Sequence, residues 1–139
     1  MTAVTFDTAK ALELLAAAEH VYCICHRNPD GDAIGSMLGV GQLIERLYPE
    51  KTVTFHCVDP VPDLFRFLPG AFRVQGPPVL PPASTHPLFI FVDCAEPKLT
   101  DMHETHPDLF NGTYHSIMVD HHHKNPLFGT ANFLDPVAC

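Results

Sequence analysis

Histidine and aspartate side chains occur at three places along this 139-residue chain in combinations that suit metal binding. They are His26 with Asp30 and Asp32, then Asp93, and then Asp120 with His121 and His122. Carboxylate oxygens combined with imidazole nitrogens suit a hard divalent ion such as Mn²⁺ or Mg²⁺. The first group alone has a second explanation, an Asp-Gly turn in which Asp32 caps the following helix. Together, the three places predict a metal centre.

Each of these places follows an apolar segment that predicts a β-strand. The three segments are residues 21–25, 88–92 and 115–119, and a helical pattern of apolar residues over 33–47 follows the first group. The carboxyl ends of parallel strands lie at one edge of an α/β sheet, where ligand sites form. We therefore expect the three groups of side chains to meet at that edge.

The rest of the chain fits the same architecture. The pattern predicts a helix over 6–20 capped by Asp7 or Thr8, a short helix over 63–70 and an irregular helix over 99–110. It also predicts a strand over 52–58 with a packed His56, a strand over 130–134, and a proline-rich connector over 74–87. His103 and His106 are expected on a solvated face rather than on a metal. The predicted fold class is α/β, a doubly wound and mainly parallel sheet with helices on both faces.

Composition narrows the classes of function. A hydrophobic content of 46% and a charged content of 17% exclude a disordered chain. The net charge of -8 argues against binding nucleic acid through a broad basic surface, but not against a short nucleotide held by metal ions. The five cysteines have no CxxC spacing, and the sequence has no signal-like or membrane-spanning segment. We expect a reduced, cytoplasmic protein without a membrane contact.

The segments HRNPDGDAIGS, VDCAE and VDHH, in this order and each at a strand end, resemble the first three motifs of the DHH phosphoesterases. Within that family, the Asp-Gly-Asp-Ala form and the segment NPLFGTANFLDPVA resemble the nanoRNase group. These are oligoribonucleases that also remove the 3′-phosphate of adenosine 3′,5′-bisphosphate. Family II pyrophosphatases, with Asp-Thr-Asp-Ser at that place, and the longer RecJ exonucleases fit less well.

The resemblance implies a metal-dependent hydrolase with two ions in the complete enzyme, Mn²⁺ with Mg²⁺ or Co²⁺ as alternatives. His26 and Asp30 would hold the first ion, and Asp32 and His121 the second. Asp93 would bridge the two ions.

The implied reaction is an in-line attack on phosphorus by a hydroxide that two ions about 4 Å apart share and activate. His122 would contact the substrate phosphate, and Asp120 would orient the adjacent histidine. Arg27, Lys124 or a bound water could assist, and the sequence does not choose among them. His123 has no family role and is expected to be a surface histidine.

The sequence departs from the family pattern at its carboxyl end. The family has a fourth aspartate motif and a carboxyl-terminal substrate-binding domain, and the sequence ends before both. Asp135 is too close to the third motif to serve as the fourth aspartate, and its Asp-Pro setting predicts a turn. We expect residues 1–139 to be the amino-terminal part of a DHH phosphoesterase domain, truncated at its carboxyl end, which binds metal but turns over little substrate alone.

Three functions remain open from sequence. The first is hydrolysis of short oligoribonucleotides or of adenosine 3′,5′-bisphosphate, with short RNA or a nucleotide as substrate. The second is hydrolysis of pyrophosphate or cyclic dinucleotides by the same fold. The third is a non-catalytic domain that binds a metal or nucleotide. The resemblance also allows a homodimer of the full-length protein.

Overall fold

One mainly parallel seven-stranded sheet organises the molecule in a computed structural model that describes residues 4–137. The elements are β1 (Thr5–Phe6), α1 (Thr8–Ala17), β2 (His20–Ile24), α2 (Gly31–Leu47), β3 (Thr52–His56), β4 (Val74–Gln75), β5 (Pro87–Val92), β6 (His115–Asp120) and β7 (Ala131–Leu134). The strand order is β1-β7-β6-β5-β2-β3-β4. Only the pairing of β1 with β7 is antiparallel among these strands. The predicted α/β class with a mainly parallel sheet is confirmed.

The strand order reverses direction beside β2. From β2 the chain moves outward to β3 and β4, and then returns to the other side of β2 with β5, followed by β6 and β7. In open α/β sheets the crevice at such a reversal, at the carboxyl ends of the strands, is where ligands bind. The reversal lies between β2 and β5, whose carboxyl ends carry two of the three predicted groups.

Both α-helices pack on one face of the sheet. Ala11 and Leu14 of α1 and Ile34 and Met37 of α2 belong to the same buried cluster as Ile90 of β5. The opposite face buries a second cluster of aromatic and aliphatic side chains, which comprises Tyr22, Ile24, Phe89, Phe91, Met102 and Leu109. Burial on both faces explains why the central strands read as nearly continuous apolar runs in the sequence.

Short 3₁₀ helices cover the second face. The segment predicted as one irregular helix over 99–110 forms two 3₁₀ helices, Pro97–Thr100 and Pro107–Leu109. Proline begins each of them, because its fixed φ suits a first helical position while its missing N–H prevents a longer helix through that point. Helices therefore lie on both faces of the sheet, but only one face has α-helices.

Helix α2 begins at Gly31, two residues earlier than the predicted start at residue 33. Its N-cap is Asp30, whose Oδ1 accepts a hydrogen bond from the backbone N–H of Ala33 at 2.9 Å. The alternative in which Asp32 is the cap is therefore wrong. Asp32 lies in the first turn, where its carboxylate accepts a hydrogen bond from the Ser36 hydroxyl at 3.0 Å.

The amino end differs from the prediction of a helix over 6–20. Thr5–Phe6 pairs with β7, so α1 starts only at Thr8. The Asp7 carboxylate makes no capping bond to α1 and instead accepts a hydrogen bond from the backbone N–H of Asn132 at 2.9 Å. Asp7 is therefore the N-cap residue of α1, as predicted, but its side chain bonds to β7 and not to the helix.

The segment after β3 is also less regular than predicted. In place of one short helix over 63–70 there is a 3₁₀ helix, Asp63–Phe65, and then a turn in which Gly70 has a positive φ of 87°. The proline-rich connector includes β4 at its start. After β7, the Asp135 carboxylate accepts a hydrogen bond from the backbone N–H of Val137 at 3.1 Å, as expected for a turn.

Four cysteines of the described residues lie in the core as free thiols. Cys23, Cys25, Cys57 and Cys94 are buried and free, and Cys139 lies outside the described residues. His56 is buried, as predicted. Neither α-helix in residues 4–137 has the length and hydrophobicity needed to cross a membrane.

Candidate metal centre

Asp93 lies at the centre of the carboxyl edge. It follows β5 directly, is only 6% exposed and has a positive φ of 51°, a conformation that aspartate adopts more readily than most residues. Its two carboxylate oxygens face different imidazoles. Oδ2 lies 3.3 Å from Nε2 of His26 and Oδ1 lies 2.9 Å from Nε2 of His121. One buried carboxylate therefore joins two groups of side chains.

The first group comprises His26, Asp30 and Asp93, whose nearest ligand atoms lie within 4.8 Å of one another. Nε2 of His26 is 3.8 Å from Oδ1 of Asp30. The other ring nitrogen, Nδ1, donates a hydrogen bond to the carbonyl oxygen of Arg27 at 2.6 Å. This bond turns Nε2 of His26 toward the two carboxylates.

The second group comprises Asp93, Asp120, His121 and His122, again with ligand atoms within 4.8 Å of one another. Asp32 reaches this group through His121, since Oδ2 of Asp32 lies 3.0 Å from the same Nε2 that faces Asp93. The structure thus brings all seven predicted residues to one edge of the sheet.

Within the second group, Asp120 is the residue whose side chain is fully buried. Its Oδ1 accepts a hydrogen bond from Nδ1 of His122 at 2.6 Å. Asp120 therefore contacts His122 and not, as expected, the adjacent His121. Its Oδ2 accepts a hydrogen bond from the side-chain amide of Asn125 at 2.8 Å. Asn125 was not among the predicted site residues, because an asparagine in a loop is an ordinary turn residue and only its position shortly after Asp120 distinguishes it.

Charge at this edge is concentrated on Asp93 and its partners. A hydrogen bond with Asp93 raises the pKa of His26 to about 9, although burial opposes the shift. Burial alone would raise the pKa of Asp93, but hydrogen bonds with His26 and His121 lower it overall. Burial would lower the pKa of His121, but its bond with Asp93 raises it overall. Asp93 therefore keeps the negative charge that a cation site requires.

Three further histidines were expected at the surface. His123 is exposed, as expected for a surface histidine. His103 lies 3.8 Å from the Glu104 carboxylate, and Nε2 of His106 is 3.0 Å from the carbonyl oxygen of Pro78. His103 is exposed, as expected, whereas His106 is half-buried, so the expected solvated face is confirmed for His103 only. Neither belongs to a group of side chains that could hold a metal in the described residues.

Comparisons with known proteins found a family model, a relative and a solved structure that are similar to this chain. The model of the DHH family N-terminal domain matches residues 20–138. The chain is 35% identical over 126 residues to the bifunctional oligoribonuclease and PAP phosphatase NrnA of Thermus thermophilus, covering 89% of this chain and 35% of that relative. The crystal structure of an exopolyphosphatase-related protein from Bacteroides fragilis superposes with a TM-score of 0.78 at 20% identity, covering 98% of this chain and 41% of that one. The chain thus spans about a third of the length of its curated relative.

Proposed function

The chain belongs to the DHH family, and we propose that it acts as a metal-dependent phosphoesterase. The observation that carries the proposal is the position of Asp93. A single buried carboxylate faces His26 with one oxygen and His121 with the other. Two-metal phosphoesterases hold their ions close enough to act together on one phosphoryl group, and a carboxylate with two differently directed oxygens suits such a pair.

The side chains around Asp93 fit two divalent ions. His26, Asp30 and Asp93 would hold the first ion, and Asp32, Asp93 and His121 the second. A mixed set of imidazole nitrogen and carboxylate oxygen is compatible with Mn²⁺, with Mg²⁺ and Co²⁺ as alternatives. When bound, two such ions lower the pKa of a water and neutralise charge on phosphoryl oxygens.

Other residues near the proposed ions orient the histidine rings and contact the substrate. The carbonyl oxygen of Arg27 orients the ring of His26. Asp120 accepts a hydrogen bond from Nδ1 of His122, so that a ring with protons on both nitrogens can donate from Nε2 to a phosphoryl oxygen of the substrate. The His122 side chain is 44% exposed, which allows that contact. A hydrogen-bond donor aimed at the reacting phosphoryl group stabilises charge in the transition state.

We infer that the substrates are short oligoribonucleotides or the 3′-phosphate of adenosine 3′,5′-bisphosphate. The support is the similarity to the Thermus thermophilus protein, described as a bifunctional oligoribonuclease and PAP phosphatase. With a net charge of -8 the chain itself repels an anionic substrate, so binding would depend on the positive charge of the ions.

A substrate panel with Mn²⁺, run on the product of the complete gene, tests this proposal. We expect hydrolysis of a diribonucleotide or of adenosine 3′,5′-bisphosphate and none of pyrophosphate or a cyclic dinucleotide. The Asp93→Asn variant should lose this activity. Hydrolysis restricted to pyrophosphate or cyclic dinucleotides would reject the substrate class. Bound metal without hydrolysis of any phosphoester would favour a non-catalytic domain.

A further inference from the structure

The side chain of Asn125 lies behind the candidate metal centre and connects separate segments of the chain. Its Nδ2 is 2.8 Å from Oδ2 of Asp120 and also lies 3.4 Å from the carbonyl oxygen of Cys94, next to Asp93. The same nitrogen is 3.3 Å from the sulfur of Met118. Its Oδ1 accepts a hydrogen bond from the backbone N–H of Leu127 at 2.8 Å. Every polar atom of this amide is therefore engaged.

The contact with Asp120 has the largest consequence. The Asp120 side chain is fully buried, and its two oxygens have different partners, His122 on Oδ1 and Asn125 on Oδ2. A buried carboxylate requires a hydrogen-bond donor on each oxygen, because water does not replace a lost partner without disrupting the packing. Removing the Asn125 donor would release one side of the carboxylate and allow it to rotate away from His122.

We propose that Asn125 is a positioning residue that fixes the ring of His122 through the buried carboxylate of Asp120. With Asp120 held by Asn125, the carboxylate accepts from Nδ1 of His122 and leaves Nε2 as the nitrogen that faces the cleft. Outer partners of this kind select the tautomer and orientation of an imidazole. Only the assignment of His122 to a substrate phosphate rests on the proposed function.

Asn132 provides a matched control in the same region of the chain. It is 7% exposed, and its side chain forms a pair of hydrogen bonds with Gly129, at 3.0 Å to the carbonyl oxygen and 2.9 Å from the N–H. None of its described side-chain hydrogen bonds involves Asp120. Asn132→Ala therefore removes an asparagine side chain that stabilises the connection between β6 and β7 without removing the donor to Asp120.

The test is ¹⁵N NMR of the histidine rings in metal-free residues 1–139 at alkaline pH. We expect wild type and Asn132→Ala to show His122 with its proton on Nδ1, and Asn125→Ala to shift the His122 signals toward a mixture of tautomers. If the Asn125→Ala protein is folded and its His122 signals coincide with those of wild type, the proposal is wrong.

A second variant covers the case in which Asn125→Ala does not fold. Asn125→Leu keeps the approximate size and shape of the side chain and removes the donor to Asp120, while the exposed Leu127 N–H can bond to water instead. We expect the same change in the His122 signals, and unchanged signals would again reject the proposal.

Kinetics give an independent measurement on the metal-loaded product of the complete gene. Loss of an outer partner costs about 10- to 100-fold, and we expect that loss in kcat with KM and metal content unchanged for Asn125→Ala. An equal loss in Asn132→Ala would point to general destabilisation and contradict the positioning role. Because the NMR experiment uses no substrate, absence of hydrolysis in wild type would reject the proposed function while leaving the tautomer result to decide this inference.

Discussion

Asp93 occupies a backbone conformation that few side chains adopt, and that conformation determines where its carboxylate points. With a φ of 51° directly after β5, the side chain turns back over the sheet edge, while its backbone N–H still bonds to the carbonyl oxygen of Val119 at 3.0 Å. Aspartate and asparagine tolerate this region better than β-branched residues do. Substitution by asparagine therefore removes the charge and preserves the backbone.

The Asp93→Asn variant should lose Mn²⁺ binding at both candidate sites. We expect the affinity to fall by more than the roughly 10- to 100-fold that loss of an outer partner costs, because the variant removes charge from both sites. Calorimetric titration measures the effect. Asp63→Ala, which removes an exposed surface carboxylate paired with Arg66, is the control and should leave binding unchanged. Near wild-type affinity in Asp93→Asn would contradict a shared ligand.

His121 and His122 should differ although they are neighbours in sequence. Nε2 of His121 lies between Asp32 and Asp93, at 3.0 and 2.9 Å, whereas Nδ1 of His122 is held by Asp120. His121→Ala should lower the metal content. His122→Ala should retain the metal and lower kcat by about 10²–10³, the usual cost of one donor to a reacting group. Metal analysis of both purified variants decides, and equal loss of metal would contradict the separate roles.

The residue types that gather at the sheet edge were predictable from sequence because each follows an apolar strand. Their individual roles stay predictions. The partner of Asp120 was not predictable, because the loop conformation after β6 decides that His122 rather than His121 turns toward it. Asn125 was missed for the same reason, since its function depends on a contact and not on its chemistry.

At the scale of elements, the strands that are buried on both faces were predictable from their apolar sequence pattern. The short strands that form only by pairing with a neighbouring strand were not. Residues 21–25, 88–92 and 115–119 read as buried strands and agree with β2, β5 and β6 within one residue at each end. The two-residue strands β1 and β4 have no pattern of their own and exist because a neighbour offers free backbone groups. Short segments of this kind depend on tertiary context, which overrides local preference.

Two glycines of α2 test how closely that helix packs on the sheet. A Cβ at Gly41 would lie 2.2 Å from the buried ring of Phe55, whereas a Cβ at Gly39 would meet no atom within 4 Å. Gly41→Ala should destabilise the fold by about 1–3 kcal/mol through overpacking. Gly39→Ala is the matched control and should stabilise by roughly 0.5–1 kcal/mol, because alanine favours a helix. Urea unfolding of both variants measures this, and equal effects would contradict the packing.

Two histidines on the second face should make stability depend on pH. Nδ1 of His56 donates to the carbonyl oxygen of Gly76 at 2.8 Å, and its Nε2 accepts from the Thr54 hydroxyl, which in turn accepts from Nε2 of His20 at 2.9 Å. Burial, the largest cause for both, lowers the pKa of His20 and of His56. The folded state therefore binds fewer protons than the unfolded chain, and this stability is lost as pH falls below about 6.5.

The difference between wild type and His56→Gln isolates this effect. The raised pKa of His26 acts in the opposite sense, since its contribution is present at low pH and is lost as pH rises toward about 9. Thermal unfolding between pH 8 and pH 5.5 should show a smaller loss of Tm toward acid in His56→Gln than in wild type. Parallel curves for the two proteins would mean that His56 does not carry the dependence.

At the scale of the whole molecule, the candidate metal centre joins the carboxyl ends of three adjacent strands. His26 follows β2, Asp93 follows β5 and His121 follows β6, and these strands are neighbours in the sheet. A divalent ion that binds the folded chain and not the unfolded one stabilises the fold by mass action. Metal binding should therefore raise the Tm for unfolding of the whole protein, and not only order one loop.

Titration of residues 1–139 with Mn²⁺ should show one tight site and a second, weaker one. Two ions bring four positive charges to the carboxylates of Asp30, Asp32 and Asp93. The first ion would therefore remove much of the negative potential that attracts the second, and the two cations would repel each other if they share Asp93. Calorimetry should resolve two steps, and the Tm should rise most over the first. Two equally tight sites would contradict a carboxylate of Asp93 that two ions share.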